Sequence, residues 1–428
     1  MLKPNPVPDE LRACPKCGRR DLEHLGQLGV STCEVLNVVP ARIYVELRVD
    51  EVLICPSDGA IVSAPPPPRI VEKGVLGDEL IVEAVCDKFL EHQPIERQSK
   101  RFFRQGAYIA PQTLGRSVSA CLDLLAPLAE LIRAKTRGPG LLGTDASGIS
   151  VLDREASNGI RSGSMWVWTN ALWVSFYYSA HGDSDAVRRF LVDDFGRTVQ
   201  CDGASVFNFI ERAGGKRPGC WSHGRRRLVQ AARAGDMLAL EGVRMIAPLF
   251  KIERDSKLAG ENATERLARR RSLSAPLLDQ LRAWLDEQRG IIPPKTALGA
   301  ALGYLHRQWK RLVLFLEDGN IELTNNRRER EIRPLVQGRR NWMFVWGDLG
   351  GERTANVLTV LCTCIAHGVN PRAYLHAVTR LIVHEWKDSR LRELLPDRIH
   401  LLYPELQTTD PDELELAIDA PRLQSDLR

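Results

Sequence analysis

The chain lacks any apolar run near the roughly 18 residues that a membrane-spanning helix needs. Its apolar stretch at Val357–Ile365 is short and broken by Thr and Cys. Residues Met1–Arg20 carry prolines and charges without an apolar core, so no secretory leader is expected there. Ten cysteines in 428 residues are too few for a disulfide scaffold, and a reducing cytoplasm is the expected setting. Gly-x-Ser-x-Gly is missing, which argues against a nucleophile-elbow hydrolase. Arg217, rather than Ser or Thr, follows the Gly215-Lys216 step, so a P-loop is not expected. A fixed-period repeat is also lacking. Charge of one sign is not in large excess: 59 Lys and Arg against 54 Asp and Glu give +5. A nucleic-acid partner must therefore be argued from where the charge lies.

What is present is an ordinary folded composition, 44% hydrophobic and 26% charged, long enough for about three domains. Residues 10–64 combine turns, a Cys-Pro-Lys-Cys knuckle and short β-rich runs at Arg42–Leu47 and Glu51–Cys55. They end at Pro65–Pro68, a stiff linker. Residues 76–136 have helical periodicity, with Pro94 and Pro111 suited to helix first turns. The turn Gly106–Ala110 between two of these helices is compatible with helix-turn-helix, although most such patterns are plain helical hairpins. Arg137–Gly140 marks a boundary. After it, Leu141–Thr144, Met165–Thr169, Leu172–Tyr178 and Thr198–Cys201 read as strands, and Ser184 starts a helix. Residues 224–318 are mostly helical, and 391–428 form a tail that turns acidic from about 408.

Four groups of residues can carry chemistry. Cys14 and Cys17 form one knuckle; Cys55 and Asp58 stand at the same spacing. A second such pair completes a tetrahedral zinc site, but an Asp as the fourth ligand is uncommon, and buried cysteines are the alternative. Cys33 is a further thiol if the chain folds back. Asp145 and Asp202 each follow an apolar run, on or just past a strand, where adjacent strands bring carboxylates together. Three carboxylates, with Glu329 as the third, are a minimal holder for two Mg²⁺ ions acting on a phosphodiester. Taken singly, each has a plainer role: a turn residue for the Asp pair, and a capping box with Asn326 or a helical pair with Arg333 for Glu329. Residues 325–340 hold six Arg and two Glu, which suits a phosphate backbone as well as a solvated helix. Arg225–Arg227 form a basic triplet beside His223, which is read as structural rather than catalytic. Trp166 and Trp168 alternate on a strand and are expected in packing. Trp342 suits either a core or a DNA-facing role.

These residues carry a resemblance. NNRREREIRPLVQGRRNWMF at Asn325–Phe344 resembles the end of the catalytic domain of the insertion sequence 66 family of DDE transposases. The flanking LGYLHRQWKRLVLFLEDGNIELTNN and GVNPRAYLHAVTRL are similar to it as well. FGRTVQCDGASVFN resembles the second-aspartate segment, CWSHGRR the Cys-Trp-Ala-His-x-Arg-Arg block, and GTDASG the first-aspartate segment. The N-terminal knuckles and FLEHQPIERQSKRFFRQGAYIAPQTL resemble the family's zinc-finger and helical region. The likeness runs over roughly residues 14–390.

The resemblance implies an α/β fold. Its catalytic core over 141–390 would be RNase H-like, a five-stranded mixed sheet with helices on both faces and a helical insertion at about 224–318. Asp145, Asp202 and Glu329 match the catalytic positions, on the first strand, beside the fourth, and on a later helix. It implies two Mg²⁺ ions, replaceable by Mn²⁺, and one structural Zn²⁺ at Cys14, Cys17, Cys55 and Asp58. The activity would be metal-dependent cleavage at the element's terminal inverted repeats, then strand transfer by the 3′-OH into target DNA. Arg225, Arg226, Arg330, Arg333, Arg339 and Arg340 would contact DNA. A homo-oligomeric synaptic complex, element-encoded accessory proteins and a nucleoid-associated cytoplasmic location would follow. Ala146 and Ser147 depart from the family's usual Glu and Thr, and Asp58 from its Cys. These departures keep open an alternative, a decayed or repurposed DNA-binding protein.

Overall fold

The computed structural model describes residues 11, 13–20, 43–384 and 386–406. Cys33 and the acidic tail from residue 408 lie outside them. The chain divides into two units, Met1–Leu47 and Arg48–Arg428. In the first, the described residues include a tight turn at Cys14–Gly18. In the second, a short hairpin, β1 (Val52–Ile54) with β2 (Ile61–Ser63), precedes the linker.

Four helices follow: α1 (Asp78–Phe89), α2 (Ile95–Arg104), α3 (Pro111–Leu124) and α4 (Ala126–Thr136). Pro111 occupies the first turn of α3, where a missing N–H costs nothing. These helices pack with α14 (Gly347–Ala366) and α15 (Pro371–Val383).

The sheet is mixed. β3 (Leu142–Leu152) runs antiparallel to β4 (Ile160–Thr169), which runs antiparallel to β5 (Val174–Ser179). On its other edge β3 pairs in parallel with β6 (Val199–Gln200) at its start and β7 (Phe344–Trp346) at its end. β3 extends eight residues past the Thr144 limit expected from sequence. The continuation, Ala146-Ser147-Gly148, is small and polar and carries no strand signal of its own, but the ladder to β4 is unbroken through it. The sheet is covered on both faces, as period-2 alternation requires. Met165, Val167 and Phe176 pack with Leu358 of α14. Trp166 and Trp168 point the other way, into a core with Phe190 of α5 (Ser184–Leu191) and Phe207. Trp168 stacks on Phe190 at 4.2 Å, so both tryptophans serve packing, as expected. Trp342 is also buried, beside β7.

After β6, the short α6 (Asn208–Arg212) leads to a helical cluster. It comprises α7 (Trp221–Arg233), α8 (Met237–Leu258), α9 (Ala263–Arg269), α10 (Ala275–Ile291) and α11 (Ala297–Leu312). Trp221, Leu228, Ile246, Leu285, Leu302 and Leu305 form its core. The chain then returns to the sheet through α12 (Asn326–Glu331) and α13 (Arg333–Trp342). The whole is a mixed α/β architecture. Among the described residues no helix is long and apolar enough to cross a membrane.

Candidate active site

Strand register brings the first two carboxylates together. Gly143 of β3 lies opposite Gln200 of β6 in parallel. Asp145 and Asp202 each stand two residues further along, so they emerge side by side. Both line a cleft of about 220 Å³ with Ala146, Ser147, Ser164, Trp166 and Gly182. Backbone N–H groups hold each aspartate: Ala146 donates to Asp145 at 2.8 Å, and Ala204 to Asp202 at 3.0 Å.

Glu329 arrives on α12, a helix of only six residues that gains its position from tertiary bonds. Asn325, fully buried, donates from Nδ2 to the Thr144 carbonyl at 3.1 Å, next to Asp145. Its backbone N–H donates to Cys220 Sγ at 3.1 Å. Arg328 is 2% exposed. Its Nε donates to Thr169 of β4 at 3.0 Å, and its Nη1 donates to Gln200 at 3.3 Å and Glu322 at 2.9 Å. The guanidinium lies across Gly143, where an added Cβ would stand 1.9 Å from Nε. Gly143 is therefore the space through which α12 is clamped to the sheet. The expected capping box at Asn326 and Glu329 is not formed: Asn325 is the N-cap residue and its side chain bonds the sheet instead.

The carboxylates feel one another. Asp145 is raised from 3.8 to about 6, chiefly by burial and further by the charges of Asp202 and Glu329; the Ala146 N–H and Arg226 oppose the shift. Glu329 Oε2 lies 3.5 Å from Arg226, and Oε1 lies 3.8 Å from His223 Nε2. Glu329 Oε1 and His223 Nδ1 are buried without a hydrogen-bond partner among the described residues.

The expected arginines divide. Arg226 faces Glu329. Arg339 donates to Ser147 Oγ at 2.8 Å and to the Gly148 carbonyl, so it braces β3. Arg225, Arg333 and Arg340 are exposed, and Arg330 is partly buried. Gly143, Gln200, Asn325 and Arg328 were not singled out from sequence. A lone Gly and three polar residues carry no signal until their partners, tens to hundreds of residues away, are known.

The two knuckles have one geometry. Gly18 N–H donates to the Cys14 carbonyl at 2.8 Å, and Cys14 N–H to Arg19 at 2.8 Å. Gly59 N–H donates to the Cys55 carbonyl at 2.9 Å, and Cys55 N–H to Ala60 at 2.7 Å. Gly18 and Gly59 have φ of 72° and 73°, values that only glycine adopts freely. The Cys14 thiol is lowered by backbone N–H groups of Lys16 and Cys17. Asp58 is lowered by its bond with the Cys55 side chain and by the Ala60 N–H.

The model of the transposase IS66 family matches residues 73–353, well over half of the chain. The chain belongs to the IS66 transposase family. Three proteins of Sinorhizobium fredii (strain NBRC 101917 / NGR234) are similar over most of its length. The uncharacterized protein y4hP is 31% identical, covering 90% of this chain and 72% of its own. The uncharacterized protein y4jD is 28% identical, covering 91% and 78%. The uncharacterized protein y4qI is 25% identical, covering 86% and 71%. For this IS66 family member, membership suggests transposase activity with divalent metal, and the matched span includes Asp145, Asp202 and Glu329.

Proposed function

We propose that the protein is a DDE transposase with an RNase H-like core, in which Asp145, Asp202 and Glu329 are the catalytic carboxylates. The observation that carries this reading is that Asp145 on β3 shares a cleft with Asp202, in the turn after β6, and feels the charges of both Asp202 and Glu329 of α12. The long β3, antiparallel to β4 and parallel to β6, supports the core assignment.

The trio fits a hard divalent cation. One carboxyl is pushed up by burial and by like charges, and another presents a buried oxygen with no hydrogen-bond partner among the described residues. Mg²⁺ held there, two ions per site with Mn²⁺ as substitute, would acidify the attacking oxygen and neutralise charge on the phosphodiester. Asp145 and Asp202 would hold the ions from the sheet, and Glu329 from α12. Arg226 balances Glu329 and is partly open to a phosphate. Arg225, Arg330, Arg333 and Arg340 would supply further positive charge to a phosphate backbone, while Arg339 fixes β3.

In the reaction, water first attacks the phosphodiester at the element end and frees a 3′-OH. That hydroxyl then attacks target DNA, and one phosphodiester replaces another without ATP. Residues 10–64, with zinc at Cys14, Cys17, Cys55 and Asp58, and the helices of 76–136 would recognise terminal inverted repeats. Two ends require two copies, hence a homo-oligomer, assisted by element-encoded proteins, at the nucleoid.

The test is cleavage of labelled element-end DNA in Mg²⁺ or Mn²⁺, with the accessory proteins added. Wild type should nick at the 3′ ends, and Glu329→Gln should lose at least a thousandfold in rate while still binding. A folded wild type that binds the ends and never nicks in either metal would favour a repurposed DNA-binding protein.

A further inference from the structure

Cys220 and His223 form a second constellation with Glu329. Cys220 is the N-cap residue of α7, and His223 lies in the first turn of that helix, three residues on. Spacing of this kind puts two side chains on one side of a helix start. Their ligand atoms and a Glu329 carboxylate oxygen all lie within 4.8 Å of one another.

The two helices that carry them are stitched together at their N-terminal ends. Trp221 N–H donates to the Leu323 carbonyl at 3.1 Å. Ser222 Oγ donates to Asn326 Oδ1 at 3.0 Å. Asn325 N–H donates to Cys220 Sγ at 3.1 Å, a bond that persists when the sulfur becomes a thiolate ligand. The set is therefore organised before any ion arrives. Two of its atoms are also unexplained by the protein. His223 Nδ1 and Glu329 Oε1 are buried and find no hydrogen-bond partner among the described residues. Buried polar atoms left this way call for an ion or a water.

The donor chemistry differs from that of the carboxylate trio. Sulfur, imidazole and one carboxylate suit zinc and similar borderline ions, whereas Mg²⁺ prefers oxygen alone. We propose that Cys220, His223 and Glu329 bind one zinc-class divalent ion, which draws Glu329 away from Asp145 and Asp202 and so inhibits cleavage. The inhibitory half rests on the transposase reading; the binding half does not. The side chains close by about 1 Å to reach bonding distances. Burial favours the neutral Cys220 thiol, so its proton passes to water as the sulfur–metal bond forms. Arg226 stays on the other Glu329 oxygen.

The experiment uses the full chain, stripped of metal and equilibrated with Zn²⁺. Bound zinc is counted by elemental analysis in wild type, His223→Gln and Glu329→Gln. All three keep Cys14, Cys17, Cys55 and Asp58, so any zinc held there cancels in the comparison. Wild type should hold one more ion per chain than either variant. Equal counts in wild type and a folded variant overturn the site, and the second variant serves if the first does not fold. Zinc inhibition of Mg²⁺-dependent nicking then tests the consequence. His223→Gln should raise the half-inhibiting zinc concentration at least tenfold, and an unchanged value overturns the inhibitory role. If wild type never nicks without zinc, the transposase reading fails while the zinc count still decides the binding site.

Discussion

At the scale of single residues, Asp145 carries the most specific electrostatic consequence. Its carboxyl titrates near pH 6 in the folded chain and near 3.8 when unfolded. A raised acid binds protons more tightly when folded. Its stabilising contribution is therefore complete below about pH 4 and lost as pH rises through about 6. Asp145→Asn removes that cost, so the metal-free variant should be more stable than wild type at pH 8, by up to about 3 kcal/mol. Partial access to water reduces the figure. Thermal melting of metal-free protein at pH 4 and pH 8 checks this, with the gap between variant and wild type expected at pH 8 alone. A gap of equal size at both pH values would show that burial and like charge are not the cause. Protons and cations compete for the same carboxyl. Apparent Mg²⁺ affinity, measured by titration calorimetry, should accordingly rise with pH up to about 6 and then level off.

At the scale of elements, α12 is too short to be stable alone and depends on its clamp. Arg328 spans β4, β6 and the segment before α12 through Thr169, Gln200 and Glu322. Gly143→Ala would drive a methyl group into that guanidinium. Arg328→Ala would instead strand Glu322 and Gln200. Each substitution should cost about 3 kcal/mol in urea unfolding and lower nicking more than DNA binding. Lys at 328 should restore little, because an ammonium cannot reproduce the planar fork. A Gly143→Ala protein with wild-type stability and nicking would disprove the clamp. The strands that place Asp145 and Asp202 were legible in sequence, because apolar runs ended by Asp are a local pattern. The second half of β3 was not, since Ala, Ser and Gly take strand geometry there only through pairing with β4. The capping box at Glu329 was a correct local pattern that lost to a buried tertiary bond from Asn325.

At the scale of the whole molecule, a net charge of +5 gives little general attraction for DNA, so the proposed DNA binding rests on where the arginines lie. Arg225 and Arg340 are exposed, whereas Arg339 is spent on β3. Arg225→Ala and Arg340→Ala should weaken binding to all sequences alike. Each should lower the slope of log affinity against log salt by about 1. Fluorescence anisotropy across a salt series measures this, and an unchanged slope in the double variant would remove both residues from the DNA path. Arg339→Ala should act differently, through loosening of β3 and reduced stability.

The sequence by itself carried the periodic elements and the motif blocks that mark an IS66 family chain, because each of those signals lies within a few residues. It also carried both knuckles, whose matching glycines fix the turns. Only the tertiary structure decided that Arg226 faces Glu329, that Arg328 crosses Gly143, and that Cys220, His223 and Glu329 converge. Those contacts join residues about a hundred or more positions apart. Their energies come from burial and from hydrogen bonds made in a low-dielectric interior, which no local pattern records.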